Sequence, residues 1–283
     1  MEPRGIMGGF YRISEWIMRL SAINLLWIIC SFPFALAALG LIVPIEGTEQ
    51  QILDNMKFVS MVMGIVAPFT LFPATSAMFT VARKWVQGEV DVPLFKTFFR
   101  GYKENYKQSM IGGIIYTLLI FIMIVDFIVY KEKLALLAYV FIAFLVLIFI
   151  SLFNFFSVIV HFEIKTFQLL KRSILFTIGT PLRSLSTAIM CGFVIYLSFF
   201  KFQFLIPFFM GSIVAFLAFW NFNLAYAKVA EKAEKYAKLA EEDDDIVEID
   251  PDDVIKDEYE QENSVKSLPE ETRKEDDKHD FNK

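Results

Sequence analysis

Residues 134–160 read LALLAYVFIAFLVLIFISLFNFFSVIV and contain no charged side chain. A helix needs about 20 mostly apolar residues to cross the hydrocarbon core of a bilayer, so this stretch predicts a membrane-spanning helix. The whole chain is also apolar, because 56% of its 283 residues are hydrophobic and 16% are aromatic. Ordinary soluble domains contain roughly 45–50% apolar residues. The sequence therefore predicts an integral membrane protein.

Further apolar stretches lie on both sides of this one. Four of them are long enough to cross a bilayer easily, and the fifth, residues 184–200, is near the lower limit. Lys201 alone separates it from the last stretch, and a lysine at the centre of a span costs about 2.5–3.5 kcal/mol on insertion scales. We therefore predict two helices joined by a tight turn, and an all-α bundle of six transmembrane helices. The predicted spans are residues 20–43, 58–82, 110–130, 134–160, 184–200 and 202–227.

The positive charges are divided unevenly between the segments that connect the spans. If the N-terminus lies inside the cell, the inside segments up to residue 240 contain 17 Lys and Arg residues and the outside segments contain 4. Cytoplasmic loops of membrane proteins are enriched in Lys and Arg. We therefore predict that both ends of the chain lie in the cytoplasm and that the membrane is the bacterial cytoplasmic membrane. An odd number of spans would break this alternation.

The end of the chain differs in composition from the rest. Residues 1–240 contain 21 Lys and Arg against 13 Asp and Glu, whereas residues 241–283 contain 6 against 19. Residues 228–240 contain Glu–Lys pairs at i, i+4 spacing and are predicted to continue the last helix into water. The acidic tail, residues 241–283, cannot bury enough apolar surface to fold and is predicted to be disordered. Its charge opposes binding to nucleic acid.

Two segments that precede predicted spans are amphipathic. In residues 1–19, Glu15 and Arg19 are four positions apart and lie opposite an apolar helical face, which predicts an interfacial helix. The second segment, residues 95–107, has aromatic side chains on one face and basic side chains mostly around the other. It is interpreted either as an anchor among anionic lipid headgroups or as a docking helix for a cytoplasmic partner. The candidate docking residues are Phe95, Phe98, Phe99, Arg100, Tyr102 and Lys103.

Few polar side chains fall within the predicted spans. Such residues are costly in hydrocarbon, so they are candidates for function or for contacts between helices. Asp126 is close enough to the end of its span to pair with Lys131 or Lys133, and it is also a candidate substrate or ion contact. Asn24 is the other candidate intramembrane polar residue. The asparagines that are candidates for interhelical hydrogen bonds are Asn24, Asn154, Asn221 and Asn223.

Three prolines also lie inside predicted spans, Pro33 in the first and Pro68 and Pro73 in the second. Proline removes a helical hydrogen bond and clashes with the preceding turn, so we expect kinks at these positions. Broken helices line the substrate sites of transporters. They also occur in bundles without a transport function, and both interpretations stay open.

Residues that support catalysis or metal binding are scarce. His161 and Glu163 are two positions apart and would point to different faces of a helix, and the two cysteines, Cys30 and Cys191, fall in separate apolar runs. The sequence has no HExxH, GxSxG, Walker A or GxGxxG motif. We therefore predict that the protein is not an enzyme and uses neither a cofactor nor a metal.

Several short motifs together indicate a family. FPATSAMF at residues 72–79 is followed by RKW at residues 83–85, and NLLW at residues 24–27 and GTPLR at residues 179–183 lie on either side. With these motifs, residues 8–228 resemble the YesL-type family of bacterial membrane proteins, which has no established activity. The resemblance implies genes that are often encoded beside carbohydrate ABC importers and two-component sensors.

Two functional hypotheses follow. The first is a non-enzymatic accessory protein that assists a carbohydrate ABC importer or its sensor through residues 95–107 and 165–183. The alternative is a small stand-alone permease for a sugar-like solute, which would use the proline-containing second span and Asp126.

Overall fold

The protein is described here by a computed structural model that covers residues 6–43, 46–132 and 134–246. Within these ranges all regular elements are helices. They form two compact units, the first ending at Tyr226 and the second beginning at Ala227. The predicted disordered tail lies outside the described residues from position 247 onwards. The helices are α1 Ile6–Cys30, α2 Phe32–Ile42, α3 Glu49–Val86, α4 Leu94–Tyr130, α5 Ala135–His161, α6 Thr166–Gly179, α7 Pro181–Phe200, α8 Leu205–Phe208 and α9 Met210–Ile246.

Six of these helices are long and apolar enough to cross a membrane. They are α1, α3, α4, α5, α7 and α9. Their number and type confirm the predicted fold class, an all-α multi-pass membrane bundle. The side of the membrane on which the two ends lie stays a prediction.

The beginning of the bundle differs from the prediction. One span was expected over residues 20–43, but the helix breaks at Ser31, between α1 and α2. Pro33 lies in the first turn of α2, where its missing N–H breaks no helical hydrogen bond. The segment long enough to cross the membrane is Gly9–Cys30, and α2 is a shorter apolar helix. Residues 6–19 are therefore part of the first long helix and not a separate interfacial one.

Helix α3 lies at the centre of the bundle. It begins with a capping box, in which the Thr48 side chain accepts from the Gln51 backbone while the Gln51 side chain accepts from the Thr48 backbone. It then continues without interruption through Pro68 and Pro73. The small residues that follow Pro73 allow neighbouring helices to approach closely, and Ala74 is fully buried. The FPATSAMF motif is thus part of the core of the bundle.

Helices α3 and α4 pack closely because α4 contains glycine at the contact. A Cβ atom at Gly113 would lie 2.7 Å from the Phe72 ring and 3.0 Å from the Cα atom of Pro68. A larger side chain at this position would therefore push the two helices apart. This contact places Gly113 of α4 directly against Pro68 and Phe72 of α3.

The last two spans are separate helices, as predicted, but the connection is longer than one lysine. Helix α7 ends at Phe200, and α9 begins at Met210. Lys201 is exposed, and the short helix α8 lies within the connection. Helix α9 continues to Ile246, which is beyond the position where disorder was predicted to begin.

Candidate functional site

A polar cleft lies where the ends of α3 and α5 meet the first half of α4 and the start of α6. Its volume is about 1040 Å³. Charged and polar side chains line much of this cavity, and we refer to it as the polar cleft. Its polar lining residues are Thr80, Arg83, Arg100, Glu104, Asn105, Lys107, Gln108, His161, Glu163, Lys165 and Gln168.

The polar cleft is located at the ends of membrane-spanning helices. The apolar helix α5 ends at His161, and the chain is not helical again until Thr166. This connection is fixed to α4, because the Gln108 Nε2 group donates to the Ile164 carbonyl at 2.9 Å. The wall formed by residues 162–165 is therefore held beside residues 100–108 of α4.

Arg83 lines the polar cleft from the last turn of α3. Its Nη1 group donates to the Val160 carbonyl at 2.7 Å, which fixes the guanidinium against the end of α5. Its Nε group is buried and has no hydrogen-bond partner in the described ranges. No carboxylate of the described residues forms an ion pair with it. Arg83 as a whole is half-buried, and a partly desolvated cation without an anionic partner is unusual, because desolvation is costly.

His161 lies beside Arg83 in the lining and belongs to an aromatic cluster. Its ring centroid is 4.6 Å from that of Tyr226 and 4.7 Å from that of Phe162. Its Nδ1 atom is buried without a partner among the residues that the structure describes. Glu163, by contrast, is exposed. His161 and Glu163, which are two positions apart in the sequence, therefore have different surroundings.

The predicted docking residues on α4 are only partly available to a partner. Residues 95–107 belong to the same continuous helix as the third span, and Phe98 is fully buried in the core. The prediction that Phe98 contributes to a docking face is therefore wrong, because this turn of α4 packs into the bundle. Phe95 and Phe99 remain 62% and 50% exposed. Lys103 is also exposed.

The remaining predicted docking residues lie near the polar cleft. Arg100 lines it, and its Nε group forms an ion pair with Glu104 at 2.8 Å. Tyr102 is half-buried, with its ring 5.6 Å from that of Tyr106.

Residues 165–183 were predicted as a docking loop, but most of them form the amphipathic helix α6. One face of α6 packs on the bundle with Leu169, Ser173 and Thr177, which are spaced four positions apart. The other face exposes Phe167 and Ile178. This spacing is typical of an amphipathic helix. No helix was predicted here, because only longer apolar runs were assigned as helices.

Hydrogen bonds hold α6 in place. The Tyr116 hydroxyl of α4 lies 2.8 Å from the Ser151 Oγ of α5 and 3.0 Å from the Ser173 Oγ of α6. The Asn154 side chain donates to the Thr177 Oγ1 at 2.9 Å. Asn154 thus makes the kind of interhelical bond that the sequence predicted. This network links three elements of the polar cleft.

Asn24 lies far from the polar cleft and also forms interhelical bonds. Its Nδ2 group donates to the carbonyls of Ile206 and Pro207 at 3.0 and 2.8 Å, and its Oδ1 accepts from the Ser212 backbone at 3.1 Å. It therefore satisfies backbone groups that are free where α8 ends and α9 begins. Asn221 similarly donates to the Arg183 carbonyl at 2.7 Å.

Asp126 is half-buried in α4 and forms no ion pair within residues 6–43, 46–132 and 134–246. Lys133, one of its two predicted partners, lies outside the described residues. Neither Asp126 nor Pro33, Pro68 and Pro73 line the polar cleft. The candidate permease residues and the polar cleft are thus separate features.

A buried arginine outside the polar cleft was not anticipated from the sequence as a tertiary contact. Arg19 of α1 is buried and donates to the side chains of Glu15 and Asp91 and to the Val90 carbonyl. It joins α1 to the connection between α3 and α4. We refer to Arg19 and Asn24, with their partners, as the α1 clamp.

These features define the class of the molecule, a small multi-pass α-helical membrane protein with a polar cleft at the ends of its spans. A family model described as "Protein of unknown function, DUF624" matches residues 20–127. The chain is 30% identical to "Uncharacterized protein YesL" of Bacillus subtilis (strain 168) over 232 residues, which are 81% of this chain and 95% of that protein. The chain therefore belongs to the YesL-type family, as its motifs predicted.

Two further proteins of Bacillus subtilis (strain 168) are similar. "Uncharacterized protein YteU" is 32% identical over 188 residues, which cover 63% of this chain and 68% of that protein. "Uncharacterized protein YesV" is 29% identical over 165 residues, which cover 55% of this chain and 78% of that protein. No solved structure matches the chain significantly.

Proposed function

We propose that this protein is a non-enzymatic accessory subunit that binds a carbohydrate ABC importer, or the sensor that controls it, in the bacterial cytoplasmic membrane. The proposal is supported by two segments that are far apart in the sequence but adjacent in the fold. The sequence predicts docking by both segments, residues 95–107 and 165–183, and they lie on the two sides of the polar cleft. The Gln108 bond to the Ile164 carbonyl ties them together.

The surface beside the polar cleft has the composition of a protein-binding site. Phe95 and Phe99 of α4 and Phe167 of α6 are all at least half exposed. Lys103 and Arg172 are exposed beside them. Aromatic and arginine side chains dominate binding energy in protein interfaces. The same positive charge would suit anionic headgroups at the rim of the partner site.

The class of partner comes from the family resemblance and not from the contacts. YesL-type proteins are often encoded beside carbohydrate ABC importers and two-component sensors. The proposal also requires that the polar cleft face the cytoplasm, which agrees with the distribution of Lys and Arg. A cysteine placed at Lys103, in a chain lacking Cys30 and Cys191, should react with impermeant reagents only after the cells are opened.

The proposal is tested by recovering partners from the native membrane. The full chain is affinity-purified in nanodiscs, and importer and sensor subunits are quantified in the wild type and in a Phe95→Ala/Phe99→Ala/Phe167→Ala variant. We expect the variant to lose most of the recovered partner, because each truncated aromatic anchor typically costs more than about 1 kcal/mol of binding.

Phe121→Ala is the matched control. Phe121 is 61% exposed on α4 but lies in the membrane-spanning half of the helix, so its truncation should leave recovery unchanged. Recovery of no importer or sensor subunit, together with unchanged sugar uptake after gene deletion, would contradict the proposal.

One observation favours the alternative, a small permease for a sugar-like solute. The bundle contains an interrupted helix, which breaks at Ser31 between α1 and α2, and interrupted helices line substrate sites in transporters. Reconstituted vesicles would then show flux of a sugar or sugar acid, and Asp126→Asn would reduce it. Vesicles without flux across such a panel would rule against this alternative.

A further inference from the structure

The polar cleft contains more positive than negative side chains. Its cations are Arg83, Arg100, Lys107 and Lys165, and its carboxylates belong to Glu104 and Glu163. Glu104 is already paired with Arg100. The remaining cations therefore face the cavity with little internal compensation.

Arg83 is the best-positioned of these cations. Its guanidinium is fixed by the Val160 carbonyl, and its Nε group is buried without a partner in the described part of the chain. Guanidinium groups bind oxyanions with two parallel N–H donors. Because Arg83 lines the polar cleft and no carboxylate of the described residues pairs with it, an oxyanion in the cleft would supply the missing ionic partner.

The other walls of the polar cleft suit the same ligand. Lys107 of α4 and Lys165, just before α6, are exposed and line the cavity from two different elements. Several cations around one cavity match an anion with more than one charge and several acceptor oxygens better than a single carboxylate. The cavity also lies where α5 ends, at the level of lipid headgroups. Basic pockets between membrane helices bind phosphate-bearing headgroups.

We propose that the polar cleft is a binding site for a phosphate group, held by Arg83 and assisted by Lys107 and Lys165. The phosphate belongs either to an anionic lipid headgroup or to a soluble phosphorylated molecule. This inference goes beyond the proposed docking function and does not depend on it. It concerns the interior of the cavity and is measured on the purified chain without a partner protein.

The experiment uses the full chain in nanodiscs. In one arm, inorganic phosphate is titrated into protein in pure phosphatidylcholine nanodiscs, and binding is followed by calorimetry. In the other arm, nanodiscs contain both phosphatidylcholine and phosphatidylglycerol, and the lipids that stay bound are identified by native mass spectrometry. Phosphate binding in the first arm indicates a soluble ligand, and selective retention of phosphatidylglycerol in the second indicates a lipid headgroup.

Arg83→Gln should weaken binding in the responding arm by about tenfold to a hundredfold, as for loss of hydrogen bonds to a charged group. Lys107→Gln/Lys165→Gln should weaken it by about threefold to tenfold, because these side chains are exposed. The double variant also decides the result if Arg83→Gln fails to fold.

Lys201→Gln is the control, since Lys201 is an exposed lysine in the connection between α7 and α9 and does not line the polar cleft. It should bind like the wild type. The proposal is overturned if neither arm shows binding, or if the cleft variants lose no more affinity than Lys201→Gln.

Discussion

The α1 clamp and the polar cleft each contain an arginine, but the two arginines have different surroundings, because Arg19 is buried and Arg83 is half-buried. Arg19 donates to two carboxylates and one backbone carbonyl. Arg83 donates to one carbonyl, and its Nε group has no partner among the described residues. Charge burial is stabilising only when the charge is paired and hydrogen-bonded. Arg19 thus fits a structural contact, and Arg83 fits a site that awaits an anion.

Asn24 in the α1 clamp and His161 in the polar cleft also differ in how far their polar atoms are hydrogen-bonded. In the α1 clamp, both ends of the Asn24 amide are hydrogen-bonded. In the polar cleft, the Nδ1 atom of His161 has no partner within the described ranges. Buried polar groups are almost always hydrogen-bonded, so an unsatisfied one needs an explanation. The polar groups of the α1 clamp therefore fit a structural role, whereas Arg83 and His161 lack the partners that a purely structural role would give them.

The largest expected effect on stability is that of Arg19→Gln. The substitution removes the contact between α1 and the connection after α3, and it should lower the free energy of unfolding by about 2–3 kcal/mol. The loss stays below that of a fully buried pair because the Asp91 side chain is 92% exposed. Thermal unfolding in detergent measures the change. A loss no larger than that of Arg83→Gln would remove the distinction between the two arginines.

Asn24→Ala should have the next largest effect. It deletes three interhelical hydrogen bonds, which average about 0.6 kcal/mol each in membrane proteins, so about 2 kcal/mol of unfolding free energy should be lost. Leu25→Ala is a suitable control, because Leu25 is adjacent on α1 and 40% exposed. Equal unfolding temperatures for the two variants would show that the bonds at the start of α9 do not stabilise the bundle.

The smallest effect is expected for Arg83→Gln in the absence of ligand. The variant loses one hydrogen bond to the Val160 carbonyl but also removes an incompletely partnered charge, so stability should change by less than about 1 kcal/mol. The measurement is the same thermal unfolding, performed in phosphate-free buffer and neutral detergent. A large loss would mean that Arg83 is structural, like Arg19.

The sequence predicted the parts of the fold that depend on local composition. Six spans could be identified because hydrocarbon accepts long apolar helices and few alternatives. Helix α6 was missed because it is short and only one face is buried. The break at Ser31 was anticipated only as a kink at Pro33, because the residues on both sides are equally apolar and their composition does not mark the end of α1.

The candidate site was less predictable because its residues meet only in the folded chain. Arg83 and Val160 are 77 positions apart, and Arg19 and Asp91 are 72 apart. No periodicity relates such pairs. The aromatic residues of α4 show the same limit: Phe95, Phe98 and Phe99 look alike in sequence, but only packing decides that Phe98 is buried.

The length of α4 has a mechanical consequence. Its 37 residues form one helix of about 55 Å at 1.5 Å per residue, whereas the hydrocarbon core of a bilayer is about 30 Å thick. One end of this rod contains Phe95 and Arg100, and the other contains Asp126. A force on the first end would tilt or displace the whole helix, and the movement would reach the opposite face of the membrane. One continuous helix thus connects the two aqueous compartments.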